Sequence, residues 1–135
     1  MTDLHLDKDV RALMRTHLDS FEKLEIVRVL RASPRPMSRA ELEAACRFGS
    51  DTVREALASL GQLNVIELDA ERNFARLGSV AQDPAFAALM QFYDDDRSAV
   101  LGMLSKIAME RIRSMAANAF ASAFVIRKKQ GDGDG

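Results

Sequence analysis

The stretch from Ser38 to Leu77 limits what this chain can fold into more than any other. Ser38, with Glu41 three residues on, makes a capping box, in which each side chain satisfies an orphan amide at a helix start. A short helix is expected from there, with Leu42, Ala45 and Cys46 on one face. Phe48 to Ser50 supply a tight connector around the permissive Gly49, and Ser50 is placed to cap a second helix. In that helix Val53, Ala56, Leu57 and Leu60 recur at helical spacing, so one stripe is core and the other is wet. Val65, Ile66 and Leu68, then Phe74 and Leu77, flank the polar run Asp69 to Asn73 and predict a small β-hairpin. Two short helices, a tight turn and a hairpin make a winged helix-turn-helix. The expected fold class is mainly α with a small β-hairpin.

Ahead of this motif, Val10, Leu13, Met14 and Leu18 predict a helix over about Lys8 to Leu18. Asp19 or Ser20 starts another, with Phe21, Leu24, Val27 and Leu30 on its core face. Ser33-Pro34-Arg35-Pro36 ends it, because proline cannot continue a helix and biases the residue before it away from one. Met37 is then placed to staple the capped helix.

Behind the motif, Gly78-Ser79 is a breaker, and Asp83-Pro84 puts a capping side chain before proline at a first helical position. Phe86, Leu89, Met90 and Tyr93 carry that helix to Asp94-Asp95-Asp96, where a break or a new start is expected. From Arg97 to about Arg127 no proline occurs, which predicts one long helix. Leu101, Leu104, Ala108, Ile112, Met115, Ala119, Ala123 and Ile126 follow an eleven-residue period that keeps them on one side of it. Phe120 and Phe124 widen the stripe. That much apolar surface asks for a partner, and a two-fold homodimer through these residues is the expectation. The domains expected are a winged helix-turn-helix domain with its N-terminal helix over 1–80, a C-terminal helical dimerisation region over 81–129 and a flexible tail over 130–135.

T-V-R-E-A-L, from Thr52 to Leu57, resembles the winged helix-turn-helix of GntR-type bacterial regulators. The resemblance covers Ser38 to Leu77 and implies that Arg54 sits on a recognition helix and reaches into DNA. The family usually has glycine where Arg47 stands and serine-arginine where Gly49-Ser50 stand. Too few residues follow the wing to build that family's large ligand-binding domain.

Nineteen basic and twenty acidic residues leave a net charge of −1, and the pI of about 6.1 does not announce a nucleic-acid binder; local charge decides that instead. The candidate DNA surface is read from the helix wheel. Ser50 and Thr52 can donate to phosphate at a helix N-terminus, Arg54 can read guanine or phosphate, and Gln62 can contact the backbone. Arg39 and Arg47 flank the motif, Arg72 lies at the wing tip for a minor-groove or phosphate contact, and Arg76 is on the returning strand. Asp51 and Glu55 repel phosphate. The partners expected are double-stranded DNA and a second copy, as a transcriptional regulator; the alternative is a winged helix used for protein assembly without DNA.

His5, His17 and Cys46 share no metal-ligand spacing, and Cys46 is expected in the core. No nucleophile-base-orienter set is visible, so neither catalysis nor a cofactor nor a metal is expected. No stretch is long and uncharged enough to span a bilayer, the N-terminus has no apolar leader, and one cysteine forms no intrachain disulfide. A soluble cytoplasmic protein with no membrane partner is the expectation.

Overall fold

The computed structural model describes residues 2–133 except Ala70, Arg72 and Asn73, and side chains over 8–123 with the same exceptions. The chain divides into two compact units, Met1–Leu104 and Ser105–Gly135. The division falls later than the boundary near residue 80 drawn from the sequence.

The first unit is helical with one small sheet. Helix α1 spans Thr2–Thr16, and its apolar side buries Val10, Leu13 and Met14. The amides of His17 and Leu18 both reach Leu13 O, closing the helix and dropping Leu18 into the core. Helix α2, Phe21–Ala32, starts at Ser20, whose hydroxyl accepts from the Lys23 amide, and stops before Ser33-Pro34 as the proline rule requires. It buries Leu24, Ile26, Val27 and Leu30.

Strand β1 is only Met37–Ser38. Two residues are too short to carry a period and so leave no pattern to read, and Met37 pairs with Ala75 instead of simply stapling a helix. Helix α3, Arg39–Cys46, has the full capping box: Ser38 Oγ accepts from the Glu41 amide and Glu41 Oε1 accepts from the Ser38 amide. Only Leu42 of α3 is buried. Ala45 is exposed and Cys46 half-buried, which corrects the expectation of a core cysteine. Eight residues give too few turns to press more than one side chain inward, and Phe48 covers the end of the helix edge-to-face with Phe21.

The turn into helix α4, Ser50–Gln62, also differs. Arg47 takes the left-handed conformation at φ 59°, and the amides of Arg47 and Phe48 both return to Glu43 O. The turn is thus made at Arg47, where an L side chain is least at ease, while Gly49 has an ordinary φ of −70°. Gly49, not Ser50, is the N-cap of α4, and no side chain caps it. Val53, Ala56, Leu57 and Leu60 are buried as the periodicity predicts.

Strands β2, Ile66–Leu68, and β3, Phe74–Leu77, form the hairpin, paired Ile66 with Leu77, Glu67 with Arg76 and Leu68 with Ala75. The sheet is antiparallel in the order β1-β3-β2. Its register turns Ala75 inward and Phe74 outward, so Phe74 is 44% exposed. Gly78 leaves the sheet so close to the α4–β2 turn that an added Cβ would lie 2.7 Å from Asn64 O. A 3-10 turn at Ser79–Gln82 leads to helix α5, Pro84–Asp95, capped by Asp83 on the Ala85 amide and burying Phe86, Leu89, Met90 and Tyr93. α5 packs on α1, and α2 packs on α3, α4 and β3.

Asp96 joins α5 to helix α6, Arg97–Gly133. Its amide bonds to Phe92 O at the end of α5, and its carboxylate accepts from the Ala99 amide at the start of α6. Val100 and Leu104 lie in the core of the first unit. The rest of α6 forms the second unit. The helix continues through 130–133, residues expected as a tail; Asp134 and Gly135 lie outside the described residues.

Candidate nucleic-acid interface

The burial of Val53, Ala56, Leu57 and Leu60 fixes the rotation of α4. At 100° per residue the line opposite them is Asp51, Glu55, Ala58 and Gln62, all exposed. The ridge that would enter a groove of DNA therefore carries two carboxylates and an amide. Arg54 and Thr52 sit on its two flanks, with Ser50 exposed at the first position of the helix.

On one flank a groove of about 620 Å³ is lined by Arg39 and Glu43 of α3, Arg54, Leu57 and Ala58 of α4, Leu68, and the exposed Phe74. Its cations are already matched. Arg54 Nη2 is 3.0 Å from Asp51 Oδ1, and Arg39 Nε is 3.8 Å from Glu43 Oε2. On the other flank Thr52, Glu55 and Ser59 face Ser20, Glu22 and Lys23 across a shallower groove, and Lys23 Nζ is 2.7 Å from Asp19 Oδ1. Gln62 lies beside a third groove between α4 and β2 that includes Glu67 and Asp69.

Arg76 bonds across the hairpin to Glu67 Oε2 at 2.8 and 3.0 Å. Arg72 lies outside the described residues, so its expected wing contact has no geometry. Among the described residues Arg47 is the candidate arginine with no ion pair, and its left-handed turn carries it on the surface between α3 and α4. Serine, threonine and arginine candidates on α3 and α4 thus come together around one surface, but carboxylates interleave them. No protein-family model matches the chain, nor does any curated protein or solved structure.

Two ion-pair clusters beyond this surface were not foreseen. Arg35 reaches Glu41 Oε2 at 2.6 Å, and that guanidinium together with the Ser38 amide holds the Glu41 carboxyl down to about 2. Behind α4, Glu25 of α2 is 7% exposed. It accepts from Arg28 Nε and Nη2 at 3.2 and 3.1 Å and from the Tyr93 hydroxyl, and Arg97 Nη2 lies 3.9 Å away. The Arg97 guanidinium also stands 5.1 Å from the centre of the Tyr93 ring. Burial pushes the Glu25 carboxyl up, but the Arg28 and Tyr93 hydrogen bonds and the two guanidinium charges outweigh it and hold it below its ordinary value. Burial and Glu25 push the Tyr93 phenol up. The sequence signal was there: Glu25 lies four residues after Phe21 and Arg28 four after Leu24, inside the apolar face of α2.

Burial and the Glu25 charge likewise raise the Cys46 thiol, so it is not a ready nucleophile at neutral pH. Among the described residues no three His, Cys, Asp or Glu side chains come together to hold a metal. Of the expected dimer residues, Leu104 is spent in the core of its own unit and Leu101 is half-buried. Ala108, Ile112, Met115, Ala119, Phe120 and Ala123 are exposed, and the Phe124 side chain lies outside the described residues.

Proposed function

We propose that residues 1–80 form a winged helix-turn-helix that binds double-stranded DNA without enzymatic activity, and that the chain acts as a homodimeric transcriptional regulator. The observation that carries this reading is the order α2-β1-α3-α4-β2-β3 with α4 held outward, Ser50, Thr52 and Arg54 exposed on its first turns and Arg47 in the turn before it. The ion pairs of Arg39 and Arg54 do not preclude it. Exposed pairs of this kind contribute about 0–1 kcal/mol, so a phosphate can replace Asp51 or Glu43 as the arginine's partner. Asp51 and Glu55 on the ridge would then accept from cytosine amino groups instead of meeting phosphate. Dimerisation through the exposed apolar residues of α6 would give two heads and add their binding energies.

A second reading, a winged helix serving protein assembly, is favoured by the carboxylates facing Arg39, Arg54 and Arg76. Fluorescence anisotropy with mixed-sequence duplex DNA separates the two. Under the first reading, binding at low salt weakens steeply as salt rises, and Arg54→Ala costs about 1–3 kcal/mol while Arg47→Ala lowers the salt slope by about 1. No binding at low salt would leave the assembly reading.

A further inference from the structure

The charge of this chain is segregated. Residues 1–105 carry thirteen basic and seventeen acidic side chains, a net of −4, whereas Lys106 to Lys129 carry six basic and one acidic, a net of +5. All of that positive stretch lies on α6, in the second unit. Within it Ser114 to Ile126 contains no charged residue, with Arg111 and Arg113 before it and Arg127, Lys128 and Lys129 after it. Ser114, Asn118 and Ser122, four residues apart, confine the polar side of this segment to one narrow stripe, Met115, Ala116, Ala119, Phe120 and Ala123 take up the rest of its circumference, and residues 108–123 are exposed throughout. So wide an apolar face calls for cover, while the narrow polar stripe can stay in water. At 1.5 Å per residue the uncharged segment is about 20 Å long, too short to cross the roughly 30 Å hydrocarbon core of a bilayer. In keeping with that, no helix among the described residues is long and apolar enough to cross a membrane.

We propose that this half of α6 docks on the surface of an anionic lipid bilayer, its apolar middle sunk into the headgroup boundary and its cationic ends on the phosphates. The pairing of α6 in the proposed dimer covers part of the apolar face but leaves the cationic flanks unanswered. Pairing the uncharged segments in parallel sets each cationic flank against its own twin. Pairing them antiparallel about Phe120 sets Arg111 opposite Lys129 and Arg113 opposite Arg127. Either way cation faces cation. Nucleic acid would meet the ends but not the apolar middle. An anionic bilayer meets both, since juxtamembrane cations and buried apolar area add in such binding. This departs from the expectation of no membrane partner, and it does not depend on whether α4 binds DNA.

The test is co-sedimentation of the full chain with phosphatidylcholine vesicles and with vesicles that also contain phosphatidylglycerol. Binding is expected to the second and not the first, weakening with salt. The combined variant Arg127→Gln, Lys128→Gln and Lys129→Gln should lower the affinity about a hundredfold, at roughly tenfold or less per cation. Phe120→Ser should weaken it several-fold with the charges intact, and circular dichroism should show both variants as helical as the parent. Equal binding to both vesicles, no binding to anionic vesicles at low salt, or self-association through this segment without any vesicle binding would each overturn the proposal. Loss of duplex-DNA binding in the glutamine variant without loss of vesicle binding would also overturn it.

Discussion

Glu25 is the residue whose protonation the fold feels most directly. Its folded carboxyl is held below the ordinary value, so its contribution is fully present above the unfolded pKa of about 4.3 and is lost as pH falls through the lower folded value. Glu41 follows the same sign, with its contribution lost as pH falls towards about 2. Acid unfolding of the parent is therefore expected below about pH 4.3, measured by denaturant melts across pH. Tyr93→Phe removes one hydrogen bond to a charged group and should cost about 1.5–3 kcal/mol near neutrality, shrinking in acid. A cost that stays constant down to low pH would mean that Tyr93 acts through packing and not through the Glu25 carboxylate. Spacing places Glu25 inside the apolar face of α2 but does not name its partner, because Tyr93 lies 68 positions away.

At the scale of elements, what was legible obeyed local rules. Ser38 with Glu41, Asp83 with Pro84, and the Ser33-Pro34 stop each act within four residues, and each appears where the sequence put it. What was missed depends on contacts from elsewhere. β1 exists because Met37 and Ser38 lie against β3, and Phe74 faces outward because the hairpin register gives Ala75 the inward place. The turn at Arg47 was hidden for another reason: glycine two residues later looked like the hinge, and nothing in the sequence says that arginine will take the left-handed angle. Gly78 is where an element boundary tolerates least. A methyl there would press on Asn64 O and on the Ile66 backbone at 3.1 Å, groups that cannot swing away. Gly78→Ala should therefore cost about 1–3 kcal/mol in chemical denaturation, and an unchanged midpoint would show that the hairpin shifts freely.

For the whole molecule, the candidate site was half legible. The helix wheel put Ser50, Thr52 and Arg54 on the outside, but not the carboxylates that each arginine would choose. The apolar rod was legible in outline, since an eleven-residue period needs only a straight helix, yet Val100 and Leu104 went to the core of the first unit and shortened the free stripe. Met109, Ile112, Met115 and Phe120 remain 51–75% exposed, enough that a second copy burying them should be detectable. Sedimentation equilibrium is expected to show a dimer, moved towards monomer by Ile112→Asp with Arg54-dependent DNA binding weakened in step. A single-chain species at high protein concentration would remove dimerisation from the proposed function.

Asp96 serves two helices at once, closing one with its amide and opening the next with its carboxylate. A joint one residue long has no slack. Inserting a residue there would spin everything downstream by about 100° and pull Val100 and Leu104 from their seats, so at this joint chain length should tolerate far less variation than side-chain identity.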